Sequence, residues 1–330
     1  MISIVIPNLN GYRHLELCLK SLQNQSMNDF SVTVVDNGSS DNSIELLRNN
    51  FPDVSIISNK YNTGFAKAVN DGIRLSLEDD SVSHILLLNN DIECDRYFLE
   101  EMLNGFIDST IGSVACKMLN FYNREILDDT GDFLRKGGLS VPRGYGEKDT
   151  GQYDSQNFIF SACAGAALYK REIFETVGFF DEDFFAYLED IDFGFRMQLL
   201  GFKCYYNPKS VCYHIRSATT LDKKHLPTYY SERNIVYLRF KNYPLRILLK
   251  YSLHFNLGRI RRFYIFTRYY SFKLALNVLK GYIAGIIKLP KMYSKRKSIQ
   301  KNRRVPDKYI DGILLDIKIS DLKIKEKKQN

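Results

Sequence analysis

Six carboxylates crowd twelve residues: Asp181, Glu182, Asp183, Glu189, Asp190 and Asp192. Such a cluster is usually a solvated acidic face. Here Glu189, Asp190 and Asp192 stand among Phe184, Phe185, Tyr187, Leu188, Ile191 and Phe193. A carboxylate held among aromatics resists ionisation, so its pKa rises and it can act as a general base. The same residues open a predicted helix running to Leu200, whose dipole favours negative charge at that end. Helix cap and base are both open readings. Asp91 and His214 form a second candidate pair, far apart in sequence, and each follows a predicted strand. A carboxylate and an imidazole suit a divalent ion such as Mn²⁺ or Mg²⁺. A lone histidine can equally be a packed polar residue, and the pair needs the fold to bring it together.

The elements that must position these groups are legible in the first third of the chain. "ISIVIP", "SVTVVD", "VSIISN" and "HILLLNN" are short apolar runs that read as buried strands. Between them "GYRHLELCLKSLQNQ", "SSDNSIELLRNNF" and "GFAKAVNDGIRLSL" read as helices, the second with Ser39, Ser40 or Asp41 as N-cap. Strands alternating with helices predict an α/β fold with a mostly parallel sheet flanked by helices. Such a sheet holds its ligand beyond the carboxyl ends of its strands. The four strands end in Pro7-Asn8, Asp36-Asn37, Ser58-Asn59 and Asn89-Asn90-Asp91, which are therefore expected to line one crevice. Further on, residues 139–157 are polar with scattered Gly and Pro and read as a mobile surface loop. "FIFSACAGAALYKREIF" reads as an apolar segment leading into a helix, and "SVCYHI" as a short strand.

Bulk composition narrows the class. With 330 residues, 45% hydrophobic and 25% charged, the chain is globular. It has no run of about 18 apolar residues, so no helix is expected to span a bilayer. The N-terminus lacks the basic region of a signal peptide. Six scattered cysteines without C-x-x-C spacing read as reduced, buried thiols of a cytoplasmic protein. The net charge of +8 is unevenly spread: nineteen Lys or Arg and no Asp or Glu lie between Arg233 and Pro306, leaving −12 on residues 1–232. This split predicts an acidic globular part and a basic appendage with a partner of its own.

The motifs "IPNLNGYRHLELCLKSL", "VVDNGSSDNS", "NTGFAKAVNDGI", "LLLNNDI", "CAGAALYKREIFETVGFFDEDFFAYLEDIDFGFRMQLLGFKCYYNP" and "VCYHIRSATT" occur in one order that strongly resembles the family 2 glycosyltransferases of GT-A fold. The closest subgroup is the bacterial rhamnosyltransferase-like enzymes of O-antigen and polysaccharide assembly. The resemblance covers roughly residues 1–240. It implies that Pro7, Asn8 and Asn10 form the first donor-binding turn. Asp36 would meet the nucleotide base, with Ser39 and Asp41 in the next turn. Asn62, Gly64, Phe65, Lys67 and Asn70 would surround the nucleotide and sugar. Asn89-Asn90-Asp91 stands in place of the family's D-x-D motif, with Asp91 on the metal. Gly165 and Ala166 resemble the acceptor-side strand, Asp190 beside Glu189 the catalytic base, and His214 the late metal ligand.

The chemistry implied is one inverting displacement. Asp190 takes the proton of an acceptor hydroxyl, and Mn²⁺ or Mg²⁺ on Asp91 and His214 offsets charge on the departing diphosphate of a dTDP- or UDP-sugar. Asn89 departs from the family pattern, being an amide where a carboxylate is usual, and this lowers the expected metal affinity. No Q-x-x-R-W motif, no Trp and no long apolar span are present, so a processive synthase is not expected. A nucleotide-dependent oxidoreductase on a similar sheet is disfavoured because the first strand lacks G-x-G-x-x-G. A catalytically dead carbohydrate-binding protein is disfavoured by Asp91, Asp190 and His214.

The appendage completes the expectation. In "FKLALNVLKGYIAGIIKLPK", residues 272–291, Lys273, Lys280 and Lys291 fall within about 20° of one direction at about 100° per residue, with Asn277 and Lys288 nearby. A narrow cationic face on an apolar body suits an interfacial membrane helix. The preceding Arg-rich aromatic stretch suits anionic headgroups. The alternative is a helix packed on the catalytic domain; nucleic acid is not the expected partner. The resulting division is 1–240 catalytic, 241–306 basic amphipathic and membrane-associating, and 307–330 a charged tail. The acceptor is then a saccharide, carried on a polyprenyl diphosphate at the inner face of the cell membrane.

Overall fold

The structure is a computed structural model that describes residues 1–216 and 225–316. The N-terminal alternation is β1 (Ile2–Asn8), α1 (Tyr12–Gln23), β2 (Phe30–Asp36), α2 (Ser43–Asn50), β3 (Ser55–Ser58), α3 (Phe65–Leu77) and β4 (His84–Leu88). α2 starts at Ser43, later than Ser39 to Asp41 suggested, although Asp41 still accepts the Ser43 amide at 3.1 Å. There follow β5 (Ile92–Cys94), α4 (Phe98–Asn104), β6 (Ile111–Asn120), β7 (Leu127–Asp129), β8 (Asp132–Leu134), β9 (Ser140–Pro142), β10 (Phe158–Ile159), β11 (Ala166–Lys170), α5 (Arg171–Thr176), α6 (Glu189–Leu199) and β12 (Lys203–His214). The C-terminal part is helical: α7 (His225–Asn242), α8 (Leu245–Lys250), α9 (Ser252–Tyr269), α10 (Phe272–Ile287), α11 (Leu289–Asn302) and α12 (Asp307–Ile313).

The mostly parallel main sheet has the order β10-β12-β6-β11-β4-β1-β2-β3. Strands β4, β1, β2 and β3 run parallel, β11 is antiparallel between β4 and β6, and β12 is parallel to β6. Period-two alternation sorts each strand's side chains between two cores. Ile2, Ile4 and Ile6 of β1 pack with α1, α2 and α4, whereas Val5 packs with α3, α5 and α6. Both faces are covered, which is why these strands read as continuous apolar runs.

Three expectations are corrected. Residues 139–157 hold β9 and a buried arginine: Arg143 donates to Thr130 and Gln156 and lies over the Phe133, Tyr153 and Tyr206 rings. The short strand ending at His214 is one arm of a twelve-residue strand, irregular between Asn207 and Val211, where its pairing to β6 shifts register. The single helix over 272–291 is two, because Lys288 caps α10 and Leu289-Pro290 open α11. Lys273 and Lys280 thus lie on α10, while Lys291 lies on α11 and pairs with Asp183.

Part of the basic segment finds its counter-charges within the chain. Lys241 and Lys295 bind Asp181, Lys295 also binds Asp183, Lys241 binds Asp192, and Arg259 and Arg262 bind Glu232. A third core joins Leu134, Phe160, Ile191 and Phe195 to Tyr237, Tyr243, Phe255, Met292 and Ile310. The expected boundary at residue 240 falls inside α7, and this core lies on both sides of it. Of the expected 307–330 tail, α12 packs through Ile310, and residues 317–330 lie outside the described residues.

Candidate active site

The carboxyl ends of β1 and β4 open into a crevice of about 460 Å³, within the few-hundred-Å³ range of small-molecule sites. Pro7, Asn8, Asn37, Asn62, Gly64, Phe65, Asn89, Asn90 and Asp91 line one part of it; Gly165, Phe185 to Asp190, His214 and Arg216 line the rest. The strand-end amides stitch the turns together. Asn90 Nδ2 donates to Asn8 Oδ1 at 2.7 Å, and Asn8 Nδ2 donates to Asp36 Oδ1 at 3.0 Å. Asn37 Nδ2 donates to Asn62 Oδ1 at 3.1 Å, while Asn37 Oδ1 accepts from the Thr63 amide and from Asn59. Gly64, at φ 89, is required by close approach: a Cβ there would lie 2.6 Å from the Phe185 ring.

Register brings Asp91 to His214. β5 and β12 pair with Ile92 opposite His214, and the Ile215 amide donates to the Asp91 carbonyl at 3.0 Å. Asp91 Oδ1 then lies 3.3 Å from His214 Nε2. The other ring nitrogen, Nδ1, is 2.7 Å from Asp128 Oδ2, and Arg216 donates to Asp128 Oδ1 at 3.0 Å. Burial works against the imidazolium, but Asp128 and Asp91 outweigh it and push the His214 pKa up to about 9. A carboxylate partner on Nδ1 orients Nε2 into the site, the arrangement found behind metal-bound histidines. This donor set fits a hard or borderline divalent ion, which Asp91 and His214 would hold.

Glu189 and Asp190 form the first turn of α6. Asp190 Oδ1 accepts from the Ile191 amide at 2.8 Å and Oδ2 from the Ala164 amide at 3.3 Å. Burial raises both carboxyl pKa values; those two amides hold Asp190 back, whereas the Asp190 charge drives Glu189 higher still. Among the described residues Glu189 Oε2 has no hydrogen-bond partner. Of the two, Glu189 is the harder to ionise, because the neighbouring Asp190 charge adds to the effect of burial.

Several expected site residues do not line the crevice. Asn70 is fully buried and bonds Phe180 through both its amide and carbonyl groups. Lys67 pairs with Asp71 one turn along α3. Asp36 accepts from Asn8 and from the Ser39 amide, behind the crevice wall. Asn10, at φ 51, accepts from Ser40 at the rim of a neighbouring depression. Ala166 begins β11, next to Gly165 at the wall. The sequence reading missed Asp128, Arg216 and the buried acids Asp129 and Asp132, the former pushed up to about 7 by burial and its neighbour Asp128. Of the "VCYHIRSATT" motif, residues 217–220 lie outside the described residues.

A strand-end crevice flanked by a histidine–carboxylate pair and a carboxylate-bearing helix start, on a mostly parallel sheet, is the layout of a GT-A glycosyltransferase. The family model for glycosyl transferase family 2 matches residues 3–178, and the chain belongs to that family. The low-salt glycan biosynthesis hexosyltransferase Agl10 of Haloferax volcanii is 25% identical over 195 residues, covering 59% of this chain and 61% of that protein. A PGL/p-HBAD biosynthesis glycosyltransferase of Mycobacterium tuberculosis is 26% identical over 222 residues, 64% of this chain and 72% of the relative. The O-antigen biosynthesis protein RfbC of Myxococcus xanthus matches at 26% over 147 residues, 41% of this chain and 11% of that longer protein. The solved mannosyltransferase PcManGT from Pyrobaculum calidifontis, in complex with GDP-Man and Mn²⁺, has a TM-score of 0.51 at 16% identity, over 91% of this chain and 85% of that one. That likeness is one of fold. Among the described residues no helix is long and apolar enough to cross a membrane.

Proposed function

We propose that this glycosyltransferase moves a hexose, rhamnose by its nearest resemblance, from a dTDP- or UDP-sugar to a saccharide acceptor on a lipid diphosphate, with inversion and one sugar per encounter. The observation that carries the reading is the meeting, in one crevice, of the Asp91–His214 pair with the Glu189–Asp190 turn. Agl10, RfbC and the mycobacterial relative are named for glycan, O-antigen and PGL/p-HBAD synthesis, which supports a role in surface-glycan assembly.

In this reading the donor diphosphate lies against Asp91 and His214, and the strand-end amides Asn89, Asn37 and Asn62 meet its nucleotide and ribose. A divalent ion there supplies charge neutralisation for the leaving diphosphate. Asp190 accepts the proton of the acceptor hydroxyl as that oxygen bonds the anomeric carbon, and the diphosphate departs with the electron pair of the broken bond. Glu189, beside Asp190 in the same turn, lines the crevice with it. Chain attachment to the inner membrane surface runs through α8 to α10.

The test is a screen of nucleotide-sugars for release of nucleoside diphosphate with Mn²⁺ or Mg²⁺, then transfer to a lipid-linked acceptor, with the product anomer read by NMR. Asp190→Asn is expected to lower transfer by at least about 100-fold, the lower end of general-base contributions. Transfer at the wild-type rate in that variant sinks the base assignment.

A further inference from the structure

The wall between the donor loop and Asp190 is held in an unfavourable backbone shape. Phe185, Tyr187 and Leu188 have φ values of 64°, 74° and 67°. Side chains other than glycine avoid this left-handed region, and three such residues within four need an outside constraint. Phe185, at ψ −65, centres a γ-turn of the rare strained kind, closed by the Ala186 amide on the Phe184 carbonyl at 2.7 Å.

The constraint comes from α7. The fully buried Asn234 places its Nδ2 within 2.9, 2.9 and 2.7 Å of the carbonyls of Phe184, Ala186 and Tyr187. Arg233 Nη2 donates at 2.8 Å to the carbonyls of Asp183 and Phe184, while its Nε donates to Asn234 Oδ1 at 2.9 Å and so orients that amide. Tyr230, one turn earlier, stacks on the Phe185 ring at 5.0 Å. At the far end of the helix, Lys241 and Asn242 grip Asp192 at 2.9 and 2.8 Å, two residues beyond Asp190. On the site side, the Phe185 carbonyl accepts from the Ala66 amide at 3.2 Å. The 184–188 segment therefore touches the donor loop at Gly64–Ala66 and runs directly into Glu189–Asp190.

We propose that Asn234 and Arg233 are positioning residues for glycosyl transfer. They touch no substrate; they hold the 184–188 turn in its strained form and thereby fix Asp190 relative to the donor. The proposal rests on the reading of the crevice given above. It assigns to the helices beyond residue 225 a part in catalysis, since without α7 the turn relaxes.

Arg233→Lys and Asn234→Ala are the test variants, studied in the full-length chain with wild type and Asp190→Asn alongside. The first readout needs no substrate: amide hydrogen exchange in a peptide spanning 183–190 is expected to rise at least tenfold, with the β1–β4 peptides unchanged. Unchanged exchange at 183–190 overturns the clamp, whether or not any sugar donor has been found. The second readout is kinetic: kcat is expected to fall on the order of 100-fold, as for a misplacement of about 1 Å, while the donor KM stays near wild type. Unaltered kcat in a folded variant overturns the positioning role. If Asn234→Ala does not fold, Arg233→Lys decides, because it keeps the charge while losing the fixed guanidinium geometry that bonds both the Asp183 and Phe184 carbonyls and Asn234 Oδ1. An inactive wild type counts against the function reading, and the exchange data still decide the clamp.

Discussion

Glu189 and Asp190 are adjacent, buried and chemically alike, yet their surroundings separate them. Asp190 has two amide donors on its oxygens, and Glu189 has one oxygen without a partner among the described residues. Burial lifts the Glu189 pKa well above the ordinary carboxylate value, and Asp190 adds to the rise. The sign for stability follows. In the unfolded chain Glu189 ionises at an ordinary value, but in the folded chain it stays protonated to higher pH. Its contribution is therefore fully present below about pH 4.5 and is lost as pH rises through the folded value. Glu189→Gln keeps the shape without the proton equilibrium. The variant is expected to melt higher than wild type at pH 7 and to converge with it near pH 4. Thermal unfolding across that range measures it, and a Tm difference independent of pH refutes the buried-neutral assignment.

At the scale of elements, contact between α7 and α10 depends on missing side chains. A Cβ on Gly281 would lie 2.4 Å from the Tyr229 carbonyl oxygen, and one on Gly285 would lie 2.8 Å from Val236. Gly281→Val is expected to prise the helices apart at a cost of about 1–3 kcal/mol, the usual price of overpacking, read as a lower Tm. A Tm within error of wild type would show that the helices separate freely. Much of the element plan was legible in the sequence. β1 to β4 and α1 to α3 follow from runs of Ile, Val and Leu alternating with helical spacing; of the four polar strand ends, those of β1 and β4 and Asn37 after β2 line the crevice, whereas Ser58 and Asn59 after β3 do not, Asn59 bonding Asn37 instead. Asp91 and His214 were singled out by residue type, and their meeting required the β5–β12 register. Asp128 escaped because its place beside His214 depends on β7 pairing with β6, and β6 with β12. Those pairings join residues 86 positions apart, and no local pattern encodes them. Asn234 escaped for the same reason: an asparagine inside a helix has no periodic signature, and its three carbonyl partners lie some 50 residues away. Asn70 lies off the crevice, since its place in α3 turns it to the Phe180 backbone, and Lys67 one turn earlier pairs with Asp71.

For the whole molecule, the segregated charge has two destinations. Part of the basic segment neutralises Asp181, Asp183 and Asp192, which docks α7 and α11 against the catalytic domain beside the third core, and part neutralises Glu232, which holds α9 on α7. Truncation near residue 240 would open that core, so membrane attachment is better tested on the surface. There Leu245, Leu249, Leu253, Leu257, Ile260 and Tyr264 are each at least half exposed and recur at helical spacing along α8 and α9. α10 adds exposed Phe272, Leu279, Ile283 and Ile286, beside exposed Lys273, Lys280 and Lys288. An apolar row among cations is the composition of an interfacial helix, and the cations supply about 1 kcal/mol each near an anionic surface. Leu253, Leu257 and Ile260 point away from the buried Phe255, so replacing all three with Asn leaves the core intact. Immersion of each side chain is worth about 1.5 kcal/mol at the low end, so the triple variant is expected to bind vesicles containing anionic lipid at least about 100-fold more weakly. Its melting temperature and its donor hydrolysis are expected to match wild type. Added salt should weaken the wild type further, since surface attraction to headgroups is screened. Vesicle binding by the triple variant equal to wild type at low and high salt would remove α9 from the membrane face and leave the exposed row without that role.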